Sequence, residues 1–119
     1  MSQAAVERRD GVPVVRPRED IDAANAASLR AQLAECVDAG TDQLVLDLSE
    51  ARYIDSAGLD MLFRLAELMR TRRAALVLVI TPESNLARLA EIVGLPRAMA
   101  VYASVEDALG ARVQRSLDS

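Results

Sequence analysis

Apolar positions along the chain recur with two different periods, and the switches between them mark out nine elements. Two short strands come first, at residues 4–8 and 12–16, joined by Asp10-Gly11, a pair suited to a tight hairpin turn. Pro13 lies inside the second strand, which predicts a late start or an edge position for it. Asp20-Ile21-Asp22 leads into a helix over residues 23–38, with Leu29, Leu33, Cys36 and Val37 on one face and Gly40 as its stop. Residues 43–48 and 75–80 are almost continuously apolar, as expected of strands covered on both faces. Between them a helix spans residues 57–72, directly after the turn Asp55-Ser56. Thr81-Pro82 predicts the next helix start, with threonine as cap and proline as first helical residue. Its inner face is Leu86, Leu89, Ala90 and Val93, and its stop is Gly94. A strand at 100–102 and a helix opened by Ser104 to Asp107 close the chain. That opening resembles a capping box with aspartate in place of the usual Glu or Gln. Val105, Ala108, Leu109 and Val113 form the packing face of the last helix, and the final five residues are expected to fray.

The order β-β-α-β-α-β-α-β-α predicts an α/β fold: a mixed, mostly parallel sheet with an opening hairpin, right-handed crossovers and about four helices. A length of 119 residues predicts one domain over 1–119, with its core over about 4–113. Open parallel sheets carry their functional surface at the carboxyl edge of the strands. In this topology that edge holds the turns around Asp22 and Asp55, so their two carboxylates are expected close together.

The helix over 57–72 is apolar on too many sides. Placed at 100° steps, Asp60, Arg64, Glu67 and Thr71 form a narrow polar stripe. Leu59, Leu62, Phe63, Leu65, Ala66 and Met69 form the expected core face, and Met61 and Leu68 extend it. The apolar arc reaches roughly 220°, against the ~100° or more that a surface helix needs. Either neighbouring helices cover the excess, or part of it is an exposed patch for a partner.

Ser56 stands at the start of this helix, where backbone N–H groups lack partners and negative charge is favoured. It is either a plain N-cap or a site where phosphate is placed and sensed. Gly58 permits close approach of another backbone. Asp55 and Asp22 are either helix caps or a carboxylate pair.

Composition narrows these choices. There is one cysteine, Cys36, and no histidine, so an intrachain disulfide, a zinc site of the usual type and a histidine-based dyad or triad are all excluded. Without a Gly-rich phosphate loop or a base–nucleophile pair, a small phosphotransfer or hydrolytic enzyme is the remote reading; no catalytic residue, metal or cofactor is expected. Net charge is −4, every basic residue is arginine, and the short runs Arg8-Arg9 and Arg70 to Arg73 carry no interleaved aromatics. Nucleic acid is therefore not an expected partner. The N-terminus shows no signal-peptide pattern, and the apolar run at 74–80 is too short to span a bilayer, so a cytoplasmic chain is expected.

The segment Asp47-Leu48-Ser49, followed after three residues by Tyr53-Ile54-Asp55-Ser56-Ala57-Gly58-Leu59, is similar to the signature of STAS domains. More narrowly it resembles that of the stand-alone bacterial anti-sigma-factor antagonists. The likeness continues through Val93-Gly94-Leu95 and Ser104 to Leu109, and covers roughly residues 12–113. The resemblance implies a binding module of partner-switching type, as in bacterial stress responses, and not an enzyme. The unphosphorylated form would bind an anti-sigma factor that is itself a serine kinase, freeing the sigma factor. Phosphorylation at Ser56 would end that binding, and a PP2C-type phosphatase would restore it. The partner surface implied is Asp22, Asp55, Ala57, Gly58 and Leu59, with exposed positions Asp60, Met61 and Arg64 on the following helix. ATP would belong to the kinase.

Two positions depart from the family pattern. Glu19 stands where a glycine is common before the first helix, and Ala57 where Ser or Thr is common. The second leaves Ser56 as the only serine or threonine hydroxyl in the turn. The alternative reading is a STAS scaffold, or the accessory subunit of a transporter or signalling complex, in which Ser56 is only a cap. The sequence leaves a homodimer open.

Overall fold

The computed structural model describes residues 4–118, with side chains described as far as residue 112. The elements are β1 (Ala5–Arg9), β2 (Val12–Arg16), α1 (Ala26–Glu35), β3 (Gln43–Asp47), α2 (Ser56–Thr71), β4 (Ala75–Val79), α3 (Asn85–Val93), α4 (Leu95–Ala98), β5 (Ala100–Tyr102) and α5 (Val105–Asp118). The strands form one sheet in the order β1-β2-β3-β4-β5, antiparallel between β1 and β2 and parallel elsewhere. Asp10 and Gly11 both have positive φ, 54° and 81°, as a two-residue hairpin turn of the favoured hand requires.

The apolar runs behave as a two-faced sheet demands. All five residues of β3 are buried. Leu44 and Leu46 join Leu76 and Leu78 beneath α1, α2 and α3, while Val45, Val77 and Val79 face Val105, Ala108 and Leu109 of α5. Val113, also expected to pack from α5, lies outside the residues with described side chains; of the last five residues, expected to fray, 115–118 continue α5 and Ser119 lies outside the described residues.

Several boundaries differ from the periodicity, each for a local reason. Pro13 does not push β2 to an edge: β2 lies between β1 and β3, and its pairing with β3 starts at Val14, one residue beyond the proline. The helix expected over 23–38 is shorter. At its start the Asp22 carboxylate accepts from the N–H of Ala24 and Asn25, making a turn before the helix. At its end the Cys36 and Val37 N–H groups bond three residues back, which tightens and stops the helix. Gly40 is not the stop but part of a later turn, where its N–H and the Thr41 hydroxyl donate to Asp38. The Thr41 hydroxyl first, and the Gly40 amide second, hold the Asp38 carboxyl below its ordinary range.

Thr81 is not the cap of α3. Ser84 is, its hydroxyl accepting from the Ala87 N–H at 3.0 Å. Thr81-Pro82-Glu83 forms the turn before it, with Glu83 at φ 67°. Gly94 does stop α3, in the left-handed conformation (φ 77°). The chain then restarts for the single turn of α4, which buries Leu95 and makes five helices rather than four.

The excess apolar arc of α2 divides. Gly58, Met61, Leu62, Leu65, Ala66 and Met69 are buried, an arc of roughly 140° at 100° per residue. Met61 is therefore core, whereas Phe63, expected in the core, and Leu68 are exposed on opposite flanks.

The cap assignment is testable by urea unfolding. Ser84→Ala should cost about 1 kcal/mol. Thr81→Ala should stay within about 0.5 kcal/mol of the parent.

Candidate functional site

Two turns meet at the carboxyl edge of the sheet, residues 19–25 after β2 and residues 52–58 after β3. Their meeting is a set of backbone and carboxylate bonds. Ile21 and Ile54 form an isolated parallel bridge. The Ile21 N–H donates to the Tyr53 carbonyl at 3.1 Å, and the Asp55 N–H donates to the Ile21 carbonyl at 3.0 Å. Asp20 Oδ1 accepts from the N–H groups of Arg52 and Tyr53, at 2.7 and 3.2 Å. The Asn25 side chain closes its own turn, accepting from the Asp22 N–H and donating to the Asp20 carbonyl.

Asp55 joins both turns to α2. One carboxylate oxygen accepts from the Gly58 N–H at 3.0 Å, which caps the helix. The other accepts from the Ala23 N–H at 3.2 Å, in the opposite turn. The Asp22 carboxylate is occupied by its own turn. The two aspartates thus come to adjoining turns, as expected, but as acceptors for backbone amides. Among the described residues no group of three or more His, Cys, Asp or Glu is arranged to hold a metal ion.

Gly58 is required by packing. A Cβ there would lie 2.6 Å from Ile54 Cγ2 and 2.8 Å from Ile21 Cγ2. The backbone that approaches it is the chain's own, so Gly58 seats α2 on the Ile21–Ile54 bridge and is buried from a partner.

Ser56 is not the cap, because Asp55 holds that position. It is the first residue of α2 and exposed, and no hydrogen bond among the described residues engages its hydroxyl. Ala57 and Leu59 are half-buried beside it. Asp60 and Arg64 are exposed and paired at 2.8 Å. Met61 is only 5% exposed, so its expected place on a partner surface is corrected: it turns into the core between α2 and the sheet.

Asp47 of the signature is buried, accepts from the Ser49 N–H and lies 4.0 Å from Arg16. Beyond it an open depression of about 630 Å³ carries Arg18, Glu19, Asp20, Ser49, Glu50 and Arg52. Asp20 and Asn25 were not legible as site residues. Asp20's amide partners lie more than thirty positions away, and no local pattern marks them.

Denaturant unfolding separates these roles. Asp55→Ala should cost about 1–2 kcal/mol, through the lost cap and the lost tie to Ala23. Gly58→Ala should cost about 1–3 kcal/mol through overpacking. Ser56→Ala should change stability by no more than about 0.5 kcal/mol.

Comparison with known proteins bears on the family and the fold. Among the described residues, no helix is long and apolar enough to cross a membrane. The chain is 37% identical over 73 residues to BtrV of Bordetella bronchiseptica, a candidate anti-sigma factor antagonist; the match spans 61% of this chain and 63% of that protein. The crystal structure of an anti-sigma factor antagonist from Mycobacterium paratuberculosis superimposes with a TM-score of 0.80, at 28% identity and 92% coverage of both chains. A candidate anti-sigma factor antagonist from Thermotoga maritima shares the fold, with a TM-score of 0.81 at 19% identity, covering 91% of this chain and 92% of the other. Residues 3–108 match the STAS domain family, and the chain belongs to it.

Proposed function

We propose that this chain is an anti-sigma factor antagonist whose binding is switched by phosphate on Ser56. Unmodified, it binds an anti-sigma factor of the serine-kinase type and so releases a sigma factor. The observation that carries the reading is the division of labour between neighbours. Asp55 performs the capping. Ser56 is left exposed on a turn that Asp20, Ile21 and Asp55 hold fixed. A scaffold in which Ser56 serves only as a cap has no support in that arrangement.

The chemistry is simple for this chain. Ser56 Oγ attacks the γ-phosphorus of ATP held by the kinase, the bond to ADP breaks, and the serine proton passes to the kinase. Hydrolysis by a PP2C-type phosphatase returns the hydroxyl and inorganic phosphate. Each phosphate adds about −1.5 to −2 charges. The helix N-terminus tolerates that charge, so the fold persists. A partner packed on the turn does not tolerate it, because the phosphate must lose its water or hold the surfaces apart.

Calorimetric titration against the purified kinase-type anti-sigma factor tests the switch. Ser56→Asp should weaken binding at least tenfold, about 1.4 kcal/mol. Ser56→Ala should abolish phosphate incorporation and keep affinity within about threefold, or 0.7 kcal/mol. An aspartate variant that binds as tightly as the parent would sink the idea that charge at Ser56 is the switch.

A further inference from the structure

The Ser56 hydroxyl is engaged by no hydrogen bond among the described residues, so the backbone that carries it sets where its oxygen can stand. On the carboxyl side that backbone is α2, seated by Gly58 and capped by Asp55. On the amino side it is the stretch 49–53, which lies in neither helix nor strand. Two amides of this stretch bond locally, Ser49 to the Asp47 carboxylate and Ala51 to the Leu48 carbonyl. The next two, Arg52 and Tyr53, donate across the gap to one atom, Asp20 Oδ1, at 2.7 and 3.2 Å.

Asp20 is itself held. Asn25 Nδ2 donates to the Asp20 carbonyl at 2.7 Å, and Asn25 Oδ1 accepts from the Asp22 N–H at 2.9 Å. The Asp20 carboxylate is thus presented from a turn that is already closed. Its two bonds meet the chain three and four residues before Ser56. A backbone amide left without an acceptor turns to water, and the residues around it gain conformations.

We infer that Asp20 is a positioning residue for phosphate transfer to Ser56. By holding the Arg52 and Tyr53 amides it keeps the entry to α2 in one conformation, so that Ser56 Oγ is presented in line to the γ-phosphorus of the kinase's ATP. This rests on the antagonist reading above and adds how the acceptor is presented. Phosphoryl transfer depends on the alignment of the attacking oxygen, and a misplacement of about 1 Å costs on the order of 100-fold. What Asp20 supplies is an acceptor oxygen rather than a charge. Asparagine offers the same Oδ1, and alanine offers none. Without that oxygen a smaller fraction of bound chain presents Oγ correctly, so the loss falls on kcat. A carboxylate that touched the kinase would act through KM instead.

The test is steady-state phosphorylation of the full chain by the purified serine-kinase-type anti-sigma factors of the same host, with melting temperature and amide hydrogen exchange measured for each variant. One of these factors should phosphorylate the parent at Ser56. Asp20→Ala should lower kcat at least tenfold, leave KM within threefold, and speed exchange at the Arg52 and Tyr53 amides. Asp20→Asn should bring kcat to within threefold of the parent and keep both amides protected. Asp20→Leu, similar in shape and without an acceptor, gives a second reading if the alanine variant melts too low to assay. Equal losses in the asparagine and alanine variants would assign the effect to charge, and a rise in KM alone would assign it to a kinase contact; either overturns the positioning role. An alanine variant phosphorylated like the parent overturns it too, and the switch at Ser56 stands. If no such factor phosphorylates the parent, the antagonist reading fails and the positioning role fails with it.

Discussion

The site depends on how tightly the first turn of α2 sits on the bridge between Ile21 and Ile54. Only a residue without a side chain fits between that turn and the two isoleucine γ2 carbons, and Gly58 is that residue. Once the helix is seated there, the Asp55 carboxylate lies within reach of two amides at once, Gly58 N–H in its own helix and Ala23 N–H in the opposite turn. Asp20 adds two more bonds across the same gap. Each charge-assisted bond of this kind is stronger than a neutral one, and together they join segments far apart in sequence. The turn that carries Ser56 is therefore held in place, and in the proposed reading a phosphate on it alters what can dock rather than how the chain folds.

The acidic residues of the turns act as acceptors for backbone amides, Asp55 through both carboxylate oxygens and Asp20 and Asp22 through one each. What remains available to a partner is the Ser56 hydroxyl, the exposed rim and the side chains that the core leaves out. The core leaves out more than expected, because the buried arc of α2 is centred nearer Met61 and Leu65 than nearer Phe63.

Much of this was legible in the sequence. The hairpin, the parallel strands and the helix after Asp55 follow from two periodicities and a few turn residues, and the strands at Val12–Arg16 and Ala100–Tyr102 are read to the residue. The failures share a cause. Thr81-Pro82 has the composition of a helix start, yet Ser84 has a better-placed hydroxyl three residues later. Gly40 looks like a stop, yet the helix had already tightened at Cys36. Met61 and Phe63 are both apolar, and only the direction from which the sheet approaches decides which is covered. Asp20 and Asn25 are ordinary turn residues until the other turn arrives. Local patterns locate elements, whereas side-chain roles at a junction depend on a neighbour that the pattern does not contain.

The central claim is that Asp55 frees Ser56 from structural duty so that Ser56 carries the regulatory phosphate. Intact-mass analysis of the protein purified from its own host, in resting and stressed growth, with the modified residue mapped, tests this most directly. The expected result is a single phosphate on Ser56 whose occupancy changes between the two conditions. Unmodified protein in both conditions, or phosphate on another residue, would contradict it.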